Sequence, residues 1–593
     1  MPSQLIVLQH FSYKKIPTCE AKSRSLYFHG DFTWSPVPSG INVSIDKDDF
    51  IQTSTFYNCF SLTKWFEYCE IKNLFVNITG RGHVRVDVFN RDFIGEESFL
   101  TSFVVELSET GAPHEIPLPE KKEGIIFLRL VALSDAMITG GSFLTDAPFQ
   151  QDVKLGVVVT HYNQIKSVSR LIDSFQTFRK QFGEDLGDGV ELIIVDNSRT
   201  LPDVLSSESV RIIKSPNFGG AGGYSRGKLY LEENGFTHCI YMDDDVGCDF
   251  ECVFRVLRIF AFAKIPFSIS GTIIDKARGC RVLQVGGKYK HGNCWWPLLP
   301  NLDLADVGSV TLIDRFHQRI GFGAFPFYAY PLKSTPNYPF PFFVRGDDVL
   351  FGLQNEKTNI VAWPGVGVSI SSSTIILREN PQSLYQDARA LFVIELCTCE
   401  KRPLFCLLKV FSRLALTQMF SYKYASVESV FRALRDVLMG PSFFRTHLDT
   451  TQIRQQNKEL CLAEQYKWLD LDLDLEAPPY PRRRMIRYLT LNGLLLPQMF
   501  MKGRKKAALV QKSFHAPFGS IFRYRYVCYE NAAGMQLLVE HDKLKMVRSL
   551  LKWFFSCIHI AFVFRSVRRS YLAELKDLTS VGFWRDNFTQ KRF

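Results

Sequence analysis

The chain has 593 residues, a hydrophobic content of 46% and a formal net charge of +11 at pH 7. This length excludes a single ordinary core and predicts two to four folded domains. The positive charge favours acidic partners, which include nucleotide phosphates, nucleic acid and an anionic membrane surface, and charge alone does not choose among them. The 14 cysteines form no CxxC pair, which argues against the common structural zinc motifs and favours reduced thiols in a cytosol.

The first 150 residues predict strands. The N-terminus lacks the charged start and long apolar core of a signal peptide. LFVNITGRGHVRVDVFN, from Leu74 to Asn90, alternates apolar and polar positions around a Gly-Arg-Gly turn, and IIFLRLVAL follows at Ile125 to Leu133. This alternation is typical of strands that bury one face. We predict a β-sandwich domain over residues 1–150.

From Lys154 the pattern changes to strands that alternate with helices. LGVVVT is a continuous apolar strand, a helix follows over Ser167 to Arg179, and a second buried strand lies at Glu191 to Asn197. A third, HCIYMDDDV, runs from His238 to Val246. This order predicts an open α/β sheet over residues 151–380, with a ligand crevice at the carboxyl ends of its strands.

Three consecutive carboxylates, Asp243, Asp244 and Asp245, follow the third strand. Adjacent carboxylates repel one another and are costly at the end of a buried strand unless a cation compensates them. Mg²⁺ or Mn²⁺ held there would complete its shell with phosphate oxygens and neutralise a departing nucleotide diphosphate. An exposed acidic turn is the alternative, and the position at a strand end favours the metal.

A second pair of carboxylates, Asp347 and Asp348, stands in FFVRGDDVLFGL between an aromatic strand and an apolar helical start. One of them could cap the helix. The other could accept a proton from an acceptor hydroxyl, as inverting sugar transfer requires. Spacing alone does not decide between these roles.

A glycine-rich segment, PNFGGAGGYSRG, runs from Pro216 to Gly227. Its glycines would let backbone N–H groups approach a ligand closely. The segment is neither a Walker loop nor a dinucleotide fingerprint. A flexible turn is the alternative interpretation.

Taken in order, VVVTHYNQ, IIVDNS, NFGGAGGYSRG, YMDDDV and FFVRGDDVLFGL resemble the galactofuranosyltransferases, which are inverting glycosyltransferases of the GT-A, family 2 type. SLYFHGDFTW and TSTFYNCFSLTKWFEY are similar to that family's N-terminal β-sandwich, and residues 381–593 to its mostly helical C-terminal domain. The resemblance implies a GT-A (Rossmann-like) catalytic domain. It also implies transfer of galactofuranose from UDP-galactofuranose to a glycan in cell-surface polysaccharide biosynthesis.

The resemblance also implies roles for individual residues. Asp243 and Asp245 would ligate Mn²⁺ or Mg²⁺ in a DXD motif. Asp348 would be the catalytic base, and Asp347 would seat the acceptor. The candidates for binding the nucleotide sugar are Thr160, Asp196, Asn217, Asp244, Trp295 and Trp296. The aromatic stretch Phe322 to Tyr330 is an alternative for stacking on the sugar.

Two positions depart from the family pattern. Where the family has a metal-binding His, this chain has Ser369, Ile370 and Ser371, and Gln164 stands where the family commonly has Arg. The Gln would weaken diphosphate binding or mark a different donor. The absent His motivates an alternative function, a catalytically impaired homologue that binds glycan or serves as a scaffold subunit of a polysaccharide assembly complex.

The expected partners are a UDP-sugar donor and a glycan or lipid-linked glycan acceptor, with no nucleic acid, because no nucleic-acid-binding pattern accompanies the basic residues. A homo-oligomer is one possible assembly of the chain. We expect a cytoplasmic protein, with peripheral attachment at the cytoplasmic face of the inner membrane as an alternative. No spanning helix is expected. The basic residues that flank Trp553 to Phe564 fit a helix lying in the headgroup region. The apolar composition of Trp553 to Phe564 itself favours a buried helix.

Overall fold

The computed structural model describes residues 5–12, 24–37, 40–187, 189–371, 380–470, 473–478, 490, 495–497, 506–511, 520–531 and 533–590. Within these residues the fold is mixed α/β, with antiparallel and largely parallel sheets. The prediction that residues 381–593 are mostly helical concerns some residues that lie outside the described ones.

Two antiparallel sheets of six strands each lie in the described part of residues 6–145. The strands are β1 (Ile6–His10), β2 (His29–Gly30), β3 (Thr33–Val37), β4 (Gly40–Ile45), β5 (Phe50–Gln52), β6 (Phe60–Ser61), β7 (Leu74–Arg81), β8 (His83–Arg91), β9 (Glu97–Glu106), β10 (His114–Ile116), β11 (Ile125–Ala132) and β12 (Ala136–Thr145), and helix α1 spans Leu62–Tyr68. One sheet has the order β10-β7-β12-β4-β3 with β1 beside β12, and the other has β2-β5-β11-β8-β9 with β6 beside β11.

The two sheets share one core. Along β7 the residues Leu74, Val76 and Ile78 are buried and their neighbours are half-buried, which is the alternation that the sequence predicted. Phe60 of one sheet meets Phe143 of the other with ring centroids 5.1 Å apart. The same cluster of buried side chains continues into the next sheet. The domain boundaries at residues 150 and 380 therefore stay predictions.

A seven-stranded sheet forms the middle of the chain, with the order β15-β14-β13-β16-β23-β18-β24. The strands of this region are β13 (Leu155–His161), β14 (Val190–Asp196), β15 (Val210–Lys214), β16 (His238–Asp243), β17 (Gly247–Cys248), β18 (Phe267–Ser270), β19 (Thr272–Asp275), β20 (Arg281–Gln284), β21 (Gly287–Tyr289), β22 (Trp295–Pro297), β23 (Phe327–Pro331), β24 (Asn359–Val361) and β25 (Gly367–Ile370). Its helices are α2 (Ile165–Leu186), α3 (Gly219–Glu233), α4 (Glu251–Ala261), α5 (Val307–Asp314) and α6 (Asp347–Gln354).

Strands β13 to β16 of this sheet run parallel to one another. Strands β13, β14 and β16 are almost continuously buried, as strands covered by helices on both faces must be, whereas the edge strand β15 is only partly buried. Strand β23 then pairs antiparallel with β16. The parallel half therefore carries all of its carboxyl ends along one edge.

The C-terminal region combines helices with a small sheet. Its helices are α7 (Pro381–Thr398), α8 (Pro403–Phe420), α9 (Tyr424–Leu438), α10 (Ser442–Thr446), α11 (Thr451–Ala463), α12 (Lys543–Leu578) and α13 (Val581–Gln590). A four-stranded sheet, absent from the sequence-based expectation, consists of β26 (Asp474–Glu476), β27 (Lys506–Gln511), β28 (Tyr526–Glu530) and β29 (Gln536–Glu540). A second hydrophobic cluster joins these elements to α6 through Val349 and Leu350.

Helix α12 buries one apolar face and exposes another. Ile560, Phe564 and Tyr571 pack inward, whereas Phe555 and Phe562 on the outer face are 63% and 83% exposed. The expectation of a buried helix is therefore wrong for the outer face. The cause is that α12 is apolar nearly all round, while neighbouring helices cover only one side of it.

In the described residues, α8 and α12 are long and apolar enough to span a bilayer, which corrects the expectation that no such helix exists. A run of about eighteen residues can keep an apolar average although isolated polar residues interrupt it, as His559 interrupts α12. Only 11% of the apolar window of α12 is buried, against 28% for α8. Length and composition do not separate a spanning helix from one that packs in a core.

Candidate active site

The predicted site residues begin at the carboxyl edge of the seven-stranded sheet. Thr160 of β13 is in register with Asp243 of β16, and His161 of β13 is in register with Asp196 of β14. Because these strands are parallel, their carboxyl ends meet at the same edge. The sheet thus brings Thr160, Asp196 and Asp243 together, although they are far apart in the sequence.

A tyrosine that the sequence analysis missed orients the first carboxylate. The Tyr224 hydroxyl donates to Asp243 Oδ1 at 2.5 Å and also hydrogen bonds with Thr160. Burial, together with the Asp243 charge, raises the pKa of Tyr224 well above its ordinary value, so the hydroxyl stays protonated and keeps donating. Asp243 is half-buried and Asp245 is exposed.

The middle carboxylate faces the neighbouring strand. Asp244 Oδ2 lies 3.0 Å from Nδ1 of buried His161 and accepts from the Tyr162 N–H at 3.3 Å. These contacts hold the acidic turn against the end of β13. Asp244 is therefore engaged within the chain, and its contact with a nucleotide sugar stays a prediction.

The glycine-rich segment forms the first turns of α3, so the interpretation as a flexible turn is wrong. Gly219 has a φ of +69°, and a Cβ there would lie 2.1 Å from the Phe343 carbonyl oxygen. The Ala221 N–H donates to that same oxygen at 3.2 Å. Glycine is required at this position because the helix start packs directly on the segment before Asp347.

The segment before α6 has an unusual backbone. Phe343 and Arg345 have φ values of +76° and +71°, and Gly346 follows with +80°. Non-glycine residues rarely adopt this region, and clusters of such residues occur where a backbone is held for function. The segment delivers Asp347 and Asp348 to the first turn of α6, where the helix dipole favours negative charge.

Burial and mutual repulsion set the protonation of this pair. Burial, followed by repulsion from Asp348 and then Asp243, raises the pKa of Asp347 to about 8. Burial raises the pKa of Asp348 to about 6, although the Val349 N–H and the Arg345 guanidinium act in the opposite direction. Because both carboxyls are buried and repel each other, the pair favours holding one proton over ionising twice, which suits one donor and one proton acceptor.

Two charged residues beside Asp348 also escaped the sequence analysis. Arg345 Nε lies 3.9 Å from Asp387 Oδ1 on α7. Repulsion from Asp387 raises the pKa of Asp348, while Arg345 lowers it. Only the packing of α7 onto α6 places Asp387 there, so no local pattern marks it.

The candidate nucleotide-binding residues lie beyond β14 and β15. Asp196 is fully buried, and its oxygens accept from the Ser198 N–H, the Ser198 hydroxyl and the Leu201 N–H. It therefore shapes the loop after β14. Asn217 lines a cavity of about 200 Å³ together with Asn197, Arg199, Ser215, Pro216, Phe218 and Asp449. A direct nucleotide contact by Asp196 or Asn217 stays a prediction.

The predicted aromatic stacking residues have different environments. Trp295 and Trp296 lie on the hairpin strand β22, and Trp296 is 36% exposed. The stretch Phe322 to Tyr330, by contrast, packs its rings in the core, where Phe325 contacts Tyr224 at a centroid distance of 5.0 Å. The prediction that this stretch stacks on the sugar is therefore wrong, because buried rings offer no face to a sugar.

The segment that lacks the family's His lies directly beside the acidic turn. Strand β25 pairs antiparallel with β17, with Ser369 opposite Gly247. Asp245 and Ser371 lie just outside this ladder, and a register continued by two residues would bring Ser371 opposite Asp245. Ile370 belongs to the other face and packs against the core.

The acidic turn fits a hard divalent cation. Asp243 and Asp245 offer carboxylate oxygens at a half-buried and an exposed position, and Asp347 lies close enough to Asp243 to feel its charge. Mg²⁺ and Mn²⁺ prefer oxygen ligands and commonly keep water or phosphate in the remaining positions. The donor set therefore suits a cation whose shell a diphosphate completes.

Sequence comparisons reveal related proteins. No family model matches the chain. The chain is 22% identical over 362 residues to the galactofuranosyltransferase GlfT2 of Mycobacterium tuberculosis. The aligned region covers 56% of this chain and 56% of that protein. The chain is also 22% identical over 380 residues to GlfT2 of Mycolicibacterium smegmatis, covering 58% of each. The chain thus spans about half the length of the curated relatives it matches.

Among solved structures, a mannosyltransferase from Pyrobaculum calidifontis in complex with GDP-Man and Mn²⁺ aligns with a TM-score of 0.30 and 13% identity, covering 53% of this chain and 83% of that one. A TM-score this low carries no argument about the present chain. The sequence relatives carry the comparison: the chain is similar to two proteins named galactofuranosyltransferases, at 22% identity over just more than half of its length.

Proposed function

We propose that the chain is an inverting glycosyltransferase with a GT-A catalytic domain, which transfers galactofuranose from UDP-galactofuranose to a glycan acceptor in cell-surface polysaccharide biosynthesis. The observation that carries the proposal is the convergence of Asp243 and Asp347 beside Tyr224 at the carboxyl edge of the sheet. The two sequence relatives are named galactofuranosyltransferases, and this supports galactofuranose as the donor sugar.

The acidic turn would bind the donor. Asp243 and Asp245 would hold Mn²⁺ or Mg²⁺, which supplies positive charge where the diphosphate departs. Tyr224 fixes the orientation of Asp243, and His161 fixes that of Asp244. The cavity lined by Asn197 and Asn217 is the candidate site for the nucleoside.

The Asp347–Asp348 pair would serve the acceptor. Asp348, which ionises more readily, would take the proton from the acceptor hydroxyl as that oxygen attacks the anomeric carbon. Asp347, whose raised pKa favours the protonated form, would hold the acceptor by donating a hydrogen bond. Attack on the face opposite the departing diphosphate would invert the anomeric centre.

The direct test is a transfer assay. The full chain is incubated with UDP-galactofuranose, Mn²⁺ and a galactofuranose-terminated oligosaccharide, and both UDP release and product mass are followed. We expect acceptor-dependent UDP release and a product longer by one hexose. UDP-galactopyranose and UDP-glucose serve as donor controls, and equal use of either would refute the galactofuranose assignment.

A catalytically impaired scaffold is the second candidate, because Ser369, Ile370 and Ser371 offer no imidazole beside the acidic turn. It predicts glycan binding without transfer. If acceptor oligosaccharides bind in saturation-transfer NMR while every UDP-sugar donor stays intact with and without Mn²⁺, the scaffold reading replaces the enzyme.

We further propose that the protein works in the cytoplasm, at an anionic membrane surface where a lipid-linked acceptor is available. The outer face of α12 exposes Phe554, Phe555 and Phe562. A groove of about 680 Å³ between α9 and α12 is lined by Phe555 together with Glu428, Arg432, Arg435 and Lys552, and Lys552 pairs with Glu428 at 2.7 Å. Exposed rings beside cationic side chains suit a helix that lies in the headgroup region.

A further inference from the structure

A mixed cluster of polar side chains lies away from the acidic turn, where the β21–β22 hairpin meets α7 and α8. His291, in the hairpin turn, has its Nδ1 3.1 Å from Oε2 of Glu395 on α7. Cys399 ends that helix. One ligand atom each from His291, Glu395 and Cys399 lies within 4.8 Å of the others, and no other such group of three exists among the described His, Cys, Asp and Glu residues.

A second cysteine, Cys406 at the start of α8, lies beside this cluster but outside the group of three within 4.8 Å. The Cys399 and Cys406 thiols both donate to one backbone carbonyl. Their sulfurs lie 3.2 and 3.8 Å from the Lys401 carbonyl oxygen. A Cβ on Gly292 would be 3.5 Å from the Cys406 sulfur, so the hairpin turn lies directly over this pair.

We propose that His291, Glu395, Cys399 and Cys406 form a structural Zn²⁺ site. One imidazole, one carboxylate and two thiolates are ligands that zinc accepts in a closed tetrahedral site. Nitrogen and oxygen ligands about 2.0 to 2.1 Å from a tetrahedral zinc are roughly 3.3 Å apart. The 3.1 Å separation of His291 and Glu395 is close to that edge.

The surroundings orient the carboxylate. Glu395 Oε1 accepts from the Tyr289 hydroxyl at 2.8 Å and from the Gly292 N–H at 2.6 Å, which leaves Oε2 directed towards His291. Such outer hydrogen bonds fix a ligand before a metal arrives. Glu395 is fully buried, whereas the His291 side chain is 38% exposed and provides an entry path.

Nearby guanidinium groups also compensate the charge that the proposed zinc site would carry. Two thiolates and one carboxylate around Zn²⁺ leave a net charge of about −1, after the two thiols release their protons on binding. Arg568 donates to the carbonyl oxygens of Leu396 and Cys399, at 3.2 and 2.8 Å. Arg413 donates to the Asn293 carbonyl at 2.8 Å. These guanidinium groups place positive charge near the site, Arg568 from α12 and Arg413 from α8.

The ligand types separate this site from the acidic turn. Thiolate sulfur is soft and selects zinc over Mg²⁺ or Mn²⁺, which prefer the oxygens of Asp243 and Asp245. The bound zinc would fasten the hairpin that carries Trp295 and Trp296 to α7 and α8. The site is independent of the proposed transfer reaction.

Metal analysis of the full chain tests the proposal. The protein is purified without metal-chelating resin, dialysed against excess Mg²⁺ and analysed by inductively coupled plasma mass spectrometry. We expect about one zinc per chain. Cys399→Ser and Cys406→Ser should each lose it, whereas Cys397→Ser, a matched change on the same helix, and Asp245→Ala should retain it.

A second measurement covers variants that fail to fold. The wild-type chain is stripped with a chelator and titrated with Co²⁺, which should give a thiolate-to-cobalt charge-transfer band that Zn²⁺ abolishes. A wild-type chain that neither contains zinc nor gives this band overturns the proposal. So does a Cys399–Cys406 disulfide in the freshly purified protein, or full zinc content in the Cys399→Ser, Cys406→Ser double variant.

Discussion

Folded proteins usually bury apolar side chains and expose ionisable ones. The carboxyl edge of the seven-stranded sheet and the outer face of α12 depart from this pattern in opposite ways. The edge buries an ionisable group, since Asp347 is only 7% exposed, whereas α12 exposes Phe554 and Phe562 at 54% and 83%. Buried carboxyls and contiguous exposed rings both cost free energy unless something outside the chain compensates them. We infer a cation and substrate at the edge, and an apolar surface at the helix.

If this comparison is right, the two regions separate in experiment. Changes at the edge should reduce transfer and leave membrane binding intact. Changes on α12 should reduce membrane binding and leave transfer to a soluble acceptor intact. The following predictions test that separation, from the largest expected effect to the smallest.

Asp245→Ala should abolish transfer and Mn²⁺-dependent UDP binding, because it removes a proposed metal ligand. Its melting temperature should change little, since the side chain is exposed. Asp243→Ala should be equally inactive but less stable, because it takes the acceptor from the buried Tyr224 hydroxyl. Glu109→Ala, an exposed carboxylate of the N-terminal sheets, is the matched control. Wild-type activity in Asp245→Ala with Mn²⁺ would contradict the metal assignment.

Asp348→Asn should lower the rate at least about a hundredfold, the usual scale for a general base, while donor affinity stays nearly unchanged. In the wild type, activity should fall as the pH drops through about 6, because burial raises the pKa of Asp348 and only the ionised form accepts a proton. Rate measurements from pH 5 to 8 with fixed Mn²⁺ give the profile. Equal losses of donor binding and rate would make Asp348 structural.

Phe554→Ser with Phe562→Ser should weaken binding to anionic vesicles several-fold, because each ring removes apolar area from the proposed membrane face. Arg565→Glu with Arg569→Glu should do the same in a salt-sensitive way. Arg568 is left unchanged because it holds two backbone carbonyls.

Ile94→Ser, which changes a 79% exposed apolar side chain in the turn between β8 and β9, is the control for these α12 variants. Vesicle flotation at low and high salt is the measurement. A wild-type protein that stays in the soluble fraction at low salt has no membrane affinity of its own, and the comparison then fails on the helix side.

Asp347→Asn should mainly raise the acceptor KM, because Asp347 is proposed to seat the acceptor. It should also change the pH dependence of stability. The folded-state pKa of Asp347 is raised to about 8, so its contribution to stability is complete below its unfolded value near 4 and is lost as the pH rises through 8. Asn removes that loss. Thermal melts of the metal-free protein from pH 5 to 9 should show a shallower decline in the variant, and parallel curves would place the titration elsewhere.

Ser371→His should tighten Mn²⁺ binding modestly, since a β17–β25 register continued by two residues would bring this side chain to the face of Asp245. Ile370→His should do less, because that side chain packs against the core. Isothermal titration of Mn²⁺ into each variant with UDP present compares them. Tighter binding in Ile370→His than in Ser371→His would show that the register changes beyond β17.

Much of the fold class follows from local patterns. The alternation in β7 predicts a strand with one buried face, and the apolar runs that end at Thr160, Asp196 and Asp243 predict parallel strands whose carboxyl ends meet. The sequence rules failed where the environment depends on distant packing. The rings of Phe322 to Tyr330 are buried and those on the outer face of α12 are exposed, although both stretches are equally apolar in sequence.

By itself, the sequence determined the alternating strands near the N-terminus, the buried strands β13, β14 and β16, the acidic turn and the Asp347–Asp348 pair, because strand periodicity and adjacent carboxylates are local properties. Tertiary structure alone decided that Tyr224 orients Asp243 and that Asp387 lies beside Asp348 through Arg345. It also brought His291 to Glu395 and Cys399 and placed Cys406 beside them, which no cysteine spacing indicates. These contacts link separate elements, and their geometry comes from how helices pack on the sheet rather than from any sequence neighbour.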